Sequence, residues 1–275
     1  MAAVFGQYVS CLVIFLIVVV SSATAACDRC LHQSKVSFFS SAKPLQSGAC
    51  GYGSLATGFN GGRLAAAVPS IYKDGAGCGA CFQMRCKDAK LCSKEGTTII
   101  VTDKNNDNRT DFVLSSRAFI SMAKNGSGRA LLKLGLVDVD YKRIPCDYKK
   151  NLSIRVEESS QKQNRSNYLA IKILYQGGQT EIVSIDLAQV VEVANWASMS
   201  KSHGAVWDAS GVPNGPLQFR FTVTAGYDGK KYWAKHVLPA DWKNGLVYDS
   251  GLQITDIALE SCGTCDNSTT WKLIN

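Results

Sequence analysis

The chain has 275 residues, 46% of them hydrophobic, a formal charge of +8 and eleven cysteines. That length admits one large or two ordinary domains. The positive charge lies in scattered lysines and short runs without a nucleic-acid-binding signature, so nucleic acid is excluded as the expected partner and an acidic polymer is favoured.

Residues 1–26 carry no charged side chain, and the apolar run Cys11 to Val20 leads into Ser21-Ser22-Ala23-Thr24-Ala25-Ala26. This pattern predicts a cleaved secretory signal peptide. The run is shorter than the ~20 residues of a spanning helix, so the mature protein is expected to be extracellular, with no membrane association. Cleavage removes Cys11 and leaves ten cysteines, an even number suited to pairing in an oxidising compartment.

Two Cys-x-x-Cys pairs stand at the ends of the mature chain, Cys27-Asp28-Arg29-Cys30 and Cys262-Gly263-Thr264-Cys265. A four-thiolate zinc site, a redox pair and structural disulfides all fit that spacing; a secreted, cysteine-rich chain favours structural bridges without a metal. Whether the two ends pair with each other or each closes locally stays open. Between them come Gly48-Ala49-Cys50-Gly51-Tyr52-Gly53, then Gly77-Cys78-Gly79-Ala80-Cys81-Phe82-Gln83-Met84-Arg85-Cys86, Cys92 and Cys146. Glycines within two residues of three of these cysteines allow sharp turns and close backbone approach at crosslinks.

Ile99-Ile100-Val101-Thr102-Asp103 is an apolar run ending on a carboxylate. In the segment that follows, Asp103, Asn105 and Asp107 occupy the first, third and fifth places of an EF-hand loop, but Asn108 and Leu114 stand where glycine and glutamate are required, so a solvated loop is predicted. Glycosylation sequons begin at Asn108, Asn125, Asn151, Asn164 and Asn267. Asp147–Asn151 is a polar, basic passage suited to a linker.

Beyond it, Leu152–Val156, Tyr168–Tyr175, Glu181–Leu187 and Phe219–Val223 alternate apolar and polar residues with the period of half-buried strands. Gly177-Gly178 and Asp228-Gly229 supply turns, the latter a favoured hairpin dipeptide. An antiparallel β-sandwich follows. Trp196, Trp207 and Trp242 are expected in its core and Tyr168 at its surface.

The ordered cysteine series resembles the first domain of plant expansins. The second half is similar to their carbohydrate-binding domain through Asn195-Trp196, Gly204-Ala205-Val206-Trp207, Gly215-Pro216-Leu217-Gln218-Phe219-Arg220 and Val237-Leu238-Pro239-Ala240-Asp241-Trp242. Cys-Asp-Arg-Cys at the mature start and the Cys-x-x-Cys extension most resemble an expansin-like A protein. The resemblance implies an all-β fold, a six-stranded double-psi β-barrel over 27–149 and an immunoglobulin-like β-sandwich over 150–252, with residues 253–275 a C-terminal extension. It also implies the pairings Cys50 with Cys78, Cys81 with Cys146 and Cys86 with Cys92.

The same resemblance carries Asp103, with Thr102 beside it, onto the groove of related endoglucanases, whose chemistry needs a second carboxyl group. That acid belongs to a His-Phe-Asp-Leu-Ser motif, which here reads Asp111-Phe112-Val113-Leu114-Ser115. Valine exchanges no proton, so catalysis by the usual pair is excluded and no enzymatic activity or cofactor is expected. Asp111, on the same side of an extended strand, is the alternative acid for a weak endoglucanase.

Without cleavage, the implied role is binding of wall polysaccharides, with or without wall loosening: cellulose, xyloglucan or other matrix glycans, and pectin through Lys142-Arg143, Lys149-Lys150 or Lys230-Lys231. Ser37, Phe38 and Phe39 match the Thr-aromatic-Tyr segment of the groove. Tyr168 and His203 match the second domain's aromatic platform, where His203 replaces the usual tryptophan, which should weaken stacking and make binding pH-sensitive. A monomer is expected. A glycan-binding or defence-type protein without loosening activity is the remaining class.

Overall fold

The structure, a computed structural model, describes residues 30–40, 47–107, 109–162, 167–224 and 230–257. The leader, Cys27, Cys262, Cys265, Asn108, Asn164, Asn267 and the Asp228-Gly229 turn lie outside the described residues.

Six strands close a barrel: β1 (His32–Phe39), β2 (Leu64–Ala67), β3 (Cys81–Cys86), β4 (Thr97–Lys104), β5 (Phe112–Ser115) and β6 (Val137–Ile144), in the spatial order β1-β5-β2-β4-β3-β6. Both β1–β5 and β2–β4 are parallel pairs. Period-two alternation turns Val36, Ile99, Val101, Phe112 and Leu114 inward, all buried, against Met84 and Phe119. Phe119 lies on a short helix, α1 (Ser116–Ile120), whose N-cap Ser115 accepts from the Ala118 amide. Disulfides join Cys50 to Cys78, Cys81 to Cys146 and Cys86 to Cys92, the pairings the resemblance implies, and Cys30 is also disulfide-bonded.

The second half forms β7 (Ser153–Val156), β8 (Asn167–Leu174), β9 (Glu181–Gln189), β10 (Ala197–Ser198), β11 (Ser200–His203), β12 (Val206–Val212), β13 (Leu217–Thr224), β14 (Lys230–Leu238) and β15 (Val247–Asp249). They make a four-stranded sheet, β10-β9-β13-β14, and a five-stranded sheet, β11-β12-β8-β7-β15. Leu169, Ile171 and Ile173 of β8 face Phe219 and Phe221 of β13 across one core, which also buries Trp207 and Trp242. Trp196 departs from expectation: it is only half-buried, outside this core. Strand β8 also departs from simple alternation, because Lys172 and Leu174 on its outer face are covered as well.

The two halves meet over a mixed interface. Phe59 makes edge contacts with Tyr52, Tyr175 and Tyr148 at centroid distances of 4.9, 5.5 and 6.1 Å. Tyr148 belongs to the passage read as a linker, which is thus anchored by an aromatic side chain. Gly204, at φ +50°, lies so close to the barrel that a Cβ there would sit 2.5 Å from the Cys50 Cα, and a Cβ on Gly75 would sit 2.6 Å from the Gly204 Cα. Only glycine permits this approach.

Beside it, Glu181 of the sandwich is buried between two barrel cations, with Oε1 2.7 Å from Arg143 Nη1 and 2.9 Å from Lys73 Nζ. Burial pushes the Glu181 carboxyl up, but the charges and hydrogen bonds of Arg143 and Lys73 outweigh it and hold the pKa below the ordinary 4.5. Among the described residues no helix is long and apolar enough to cross a membrane.

Two consequences are testable. Glu181→Gln removes the carboxylate charge that the buried Arg143 guanidinium and Lys73 share, and should cost about 3–5 kcal/mol, roughly 10 °C in Tm at neutral pH. Because the folded-state pKa of Glu181 is depressed, its contribution is present above the unfolded value near 4.5 and lost as pH falls through the folded one. Melting temperatures from pH 7 to pH 2.5 should therefore fall less steeply for the variant than for the wild type, and parallel curves would contradict the assignment. Gly204→Ala should destabilise by more than the ~1 kcal/mol of an ordinary surface change, since backbone must move and φ is positive; an unchanged Tm would remove the close approach from the account.

Candidate functional site

The site begins with a register defect. Along the parallel β2–β4 ladder Ala65 pairs with Val101 but Ala66 pairs with Asp103, so Thr102 is skipped in a bulge. Bulges re-aim the side chains that follow them. Val101 points into the barrel, and the extra residue turns Asp103 onto the outer face with Ala66. Thr102 is 1% exposed and its buried Oγ1 has no hydrogen-bond partner among the described residues, so it lies beneath the surface that Asp103 presents.

Asp103 is fixed by backbone. Its Oδ1 accepts from the Ala49 and Lys104 amides, each at 2.7 Å, and no hydrogen bond occupies Oδ2 among the described residues. Gly48 makes the Ala49 bond possible, because a Cβ there would lie 2.5 Å from the Thr102 carbonyl oxygen. The Tyr72 hydroxyl donates to the Ala49 carbonyl at 3.1 Å. Burial, followed by the charges of Asp103 and Asp74, pushes the Tyr72 pKa up, so the phenol remains a donor. No residue spacing announces the bulge, and the Gly48-Ala49 turn is visible in sequence only as part of a glycine-flanked cysteine.

Across the barrel the pairings continue in a row: Asp103 with Ala66, Ala66 with Val113, Val113 with Ser37. With strands ~4.8 Å apart, Val113 and Asp103 are separated by about 10 Å between Cα atoms. Phe39 lies two residues along β1 from Ser37 on the same face and is half-buried. Phe38 does not join them. Its ring turns inward onto Phe119, at 4.8 Å between centroids.

Asp111 is engaged elsewhere, its Oδ2 accepting from the Tyr141 hydroxyl at 2.8 Å. Burial and then this carboxylate push the Tyr141 pKa up. The loop after Asp103 is likewise self-satisfied: Asn105 donates to the carbonyls of Asp107 and Thr110, and the Asp107 carboxylate is held by Arg109. Among the described residues no group of three potential metal ligands is present.

The Asp103 turn leads directly to the sandwich. A Cβ on Gly51, two residues from Ala49, would lie 3.1 Å from His203 Nε2. His203 is exposed on β11 and pairs with Val206, which pairs with Lys172 of β8. Tyr168 lies four residues along β8 on the same outer face, about 13 Å further. It is half-buried, its hydroxyl donating to Asp208 Oδ2 at 2.9 Å. Between them the face is ionic rather than aromatic: Glu157 pairs with both Lys172 and Arg155. The fold therefore links Ser37 to Asp103 through one row of ladder partners and Asp103 to His203 through the Ala49–Gly51 turn, with Tyr168 further along the outer face of β8, while Thr102 is buried and Phe38 packs inward. Of the described sequons, Asn125 is exposed, while the Asn151 amide donates to Asp249.

Comparison with known proteins agrees with the fold. The expansin C-terminal domain family matches residues 154–239, and a barrel family described as lytic transglycolase matches residues 64–141. Expansin-like A1 of Arabidopsis thaliana is 61% identical over 259 residues, covering 92% of this chain and 97% of that protein. Expansin-like A2 of the same plant is 63% identical over 250 residues, covering 90% and 93%. A solved mutant of Clavibacter michiganensis expansin, in complex with cellohexaose, shares the fold at a TM-score of 0.60 and 16% identity, over 80% of this chain and 95% of that one. The chain therefore belongs to the expansin family and groups with its expansin-like A members.

Proposed function

We propose that this chain is a secreted plant cell-wall protein that binds wall glucans along the face from Phe39 through Asp103 to His203 and Tyr168, and loosens their contacts without cutting them. It acts as a monomer. The observation that carries the proposal is the row Ser37–Val113–Ala66–Asp103.

Inverting glycosidases hold two carboxyl groups ~6.5–9.5 Å apart. Val113 stands about two strands from Asp103, close to that separation, and cannot act as acid or base. The alternative acid, Asp111, is committed to Tyr141. What remains suits binding: a fixed carboxylate with a free Oδ2 to accept from sugar hydroxyls, a half-buried Phe39, and Tyr168 and His203 further along. Cellohexaose in the complex of the bacterial expansin supports a β-glucan as the ligand. Thr102 contributes by shaping the bulge.

Asp103→Asn is the informative variant, because the retained Oδ1 can keep the Ala49 and Lys104 amides while Oδ2 changes from acceptor to donor. Calorimetric titration with cellohexaose should show affinity reduced about tenfold, the scale of one hydrogen bond to a charged group, at unchanged Tm. Wild-type affinity in the variant would remove Asp103 from the binding face. Incubation of the wild type with cellulose or xyloglucan should release no reducing sugar above a heat-killed control; steady release abolished by Asp111→Asn would instead establish hydrolysis by Asp103 with Asp111.

A further inference from the structure

The outer face of the four-stranded sheet, on the far side of the sandwich from Tyr168, carries a second aromatic site. Trp233 of β14 is 52% exposed, a high value for so large an apolar side chain. Its orientation is fixed. The indole N–H donates to Gln218 Oε1 on β13 at 2.7 Å, and the ring meets Trp196 edge-on at 6.0 Å between centroids. Trp196 is backed in turn by the Arg220 guanidinium, 3.8 Å from its centroid.

Polar groups surround the pair. Arg220 is neutralised by Asp186 at 3.1 Å, and Ser198 donates to the other oxygen of that carboxylate at 2.7 Å. Period-two alternation puts Lys231 and Lys235, both exposed, on the same face as Trp233, one on each side of it along β14. The Lys235 ammonium lies 4.3 Å from the Trp233 centroid, and neither lysine has a carboxylate partner among the described residues. With Arg220 balanced by Asp186, two ammonium groups remain uncompensated around a preoriented indole.

We propose that this face is a second polysaccharide site, separate from the Asp103 face, and that it takes an acidic, uronate-bearing glycan. The apolar face of a sugar ring stacks on Trp233, the carboxylates of the chain meet Lys231 and Lys235, and the exposed Ser198 bonds a hydroxyl, while the buried Gln218 holds the indole in place. A neutral glycan satisfies the indole but leaves both ammonium groups unanswered. The acidic chain answers both, and charge complementarity therefore selects it.

The test uses the mature full-length protein, polygalacturonate as probe, its fully methyl-esterified form as the neutral analogue, and cellohexaose to report separately on the Asp103 face. Trp233→Ala should weaken polygalacturonate binding about tenfold, the scale of one stacking contact joined by a cation–π interaction, while leaving cellohexaose affinity unchanged. Lys231→Gln with Lys235→Gln, at an exposed site that folding does not depend on, should give a comparable loss and flatten the salt dependence of binding. Asp103→Asn should leave polygalacturonate binding as it was, so that failure of this site and of the Asp103 face can be told apart.

Polygalacturonate affinity within twofold of wild type for Trp233→Ala would overturn the proposal, since that variant keeps the full +8 charge and diffuse attraction would then account for binding. Equal affinity for the esterified polymer, or full binding by the double lysine variant, would overturn it as well.

Discussion

The proposed binding face depends on backbone meeting backbone where barrel and sandwich join. Gly75, Gly204 and the Cys50 segment pack at a distance that admits no side chain, and beside them the buried Glu181 carboxylate bridges Arg143 and Lys73. The geometry is demanding locally, since Lys73 and Asp74 both hold positive φ just before Gly75. It is this approach that sets His203 against Gly51, two residues from the turn whose amide holds Asp103.

On the proposed reading the barrel carries one backbone-held carboxylate at its binding face, with valine rather than a second acid two strands away. The bulge at Thr102 still turns Asp103 outward, and the ladder still sets Val113 opposite it. Val113 cannot act as an acid there, because general acid catalysis requires a titratable group within hydrogen-bond reach of the leaving oxygen. On the sandwich, ion pairs among Arg155, Glu157 and Lys172 occupy the space between Tyr168 and His203.

Much of the fold is legible in the residues, for identifiable reasons. Strands such as Glu181–Gln189 and Leu217–Thr224 declare themselves because one face is wet and one dry. Strand β8 is harder to read, since contacts distant in sequence bury its outer face too. The Glu181–Arg143–Lys73 cluster joins three separate segments that no local pattern connects. The bulge at Thr102 is a property of pairing, and pairing is not written in one strand alone. Phe38 and Phe39 look equivalent in sequence, yet alternation sends one into the barrel and leaves the other at the surface. Trp196 reads as core by composition, but its strand edge leaves it beside an exposed Trp233.

The central claim, mechanical loosening through the Asp103 face without bond cleavage, is tested most directly by the extension of heat-inactivated plant wall strips held under constant load at acidic pH. Wild-type protein should produce sustained creep with no sugar released into the bath, and Asp103→Asn should not. Absence of creep despite intact wall binding, or creep accompanied by released sugar, would contradict it.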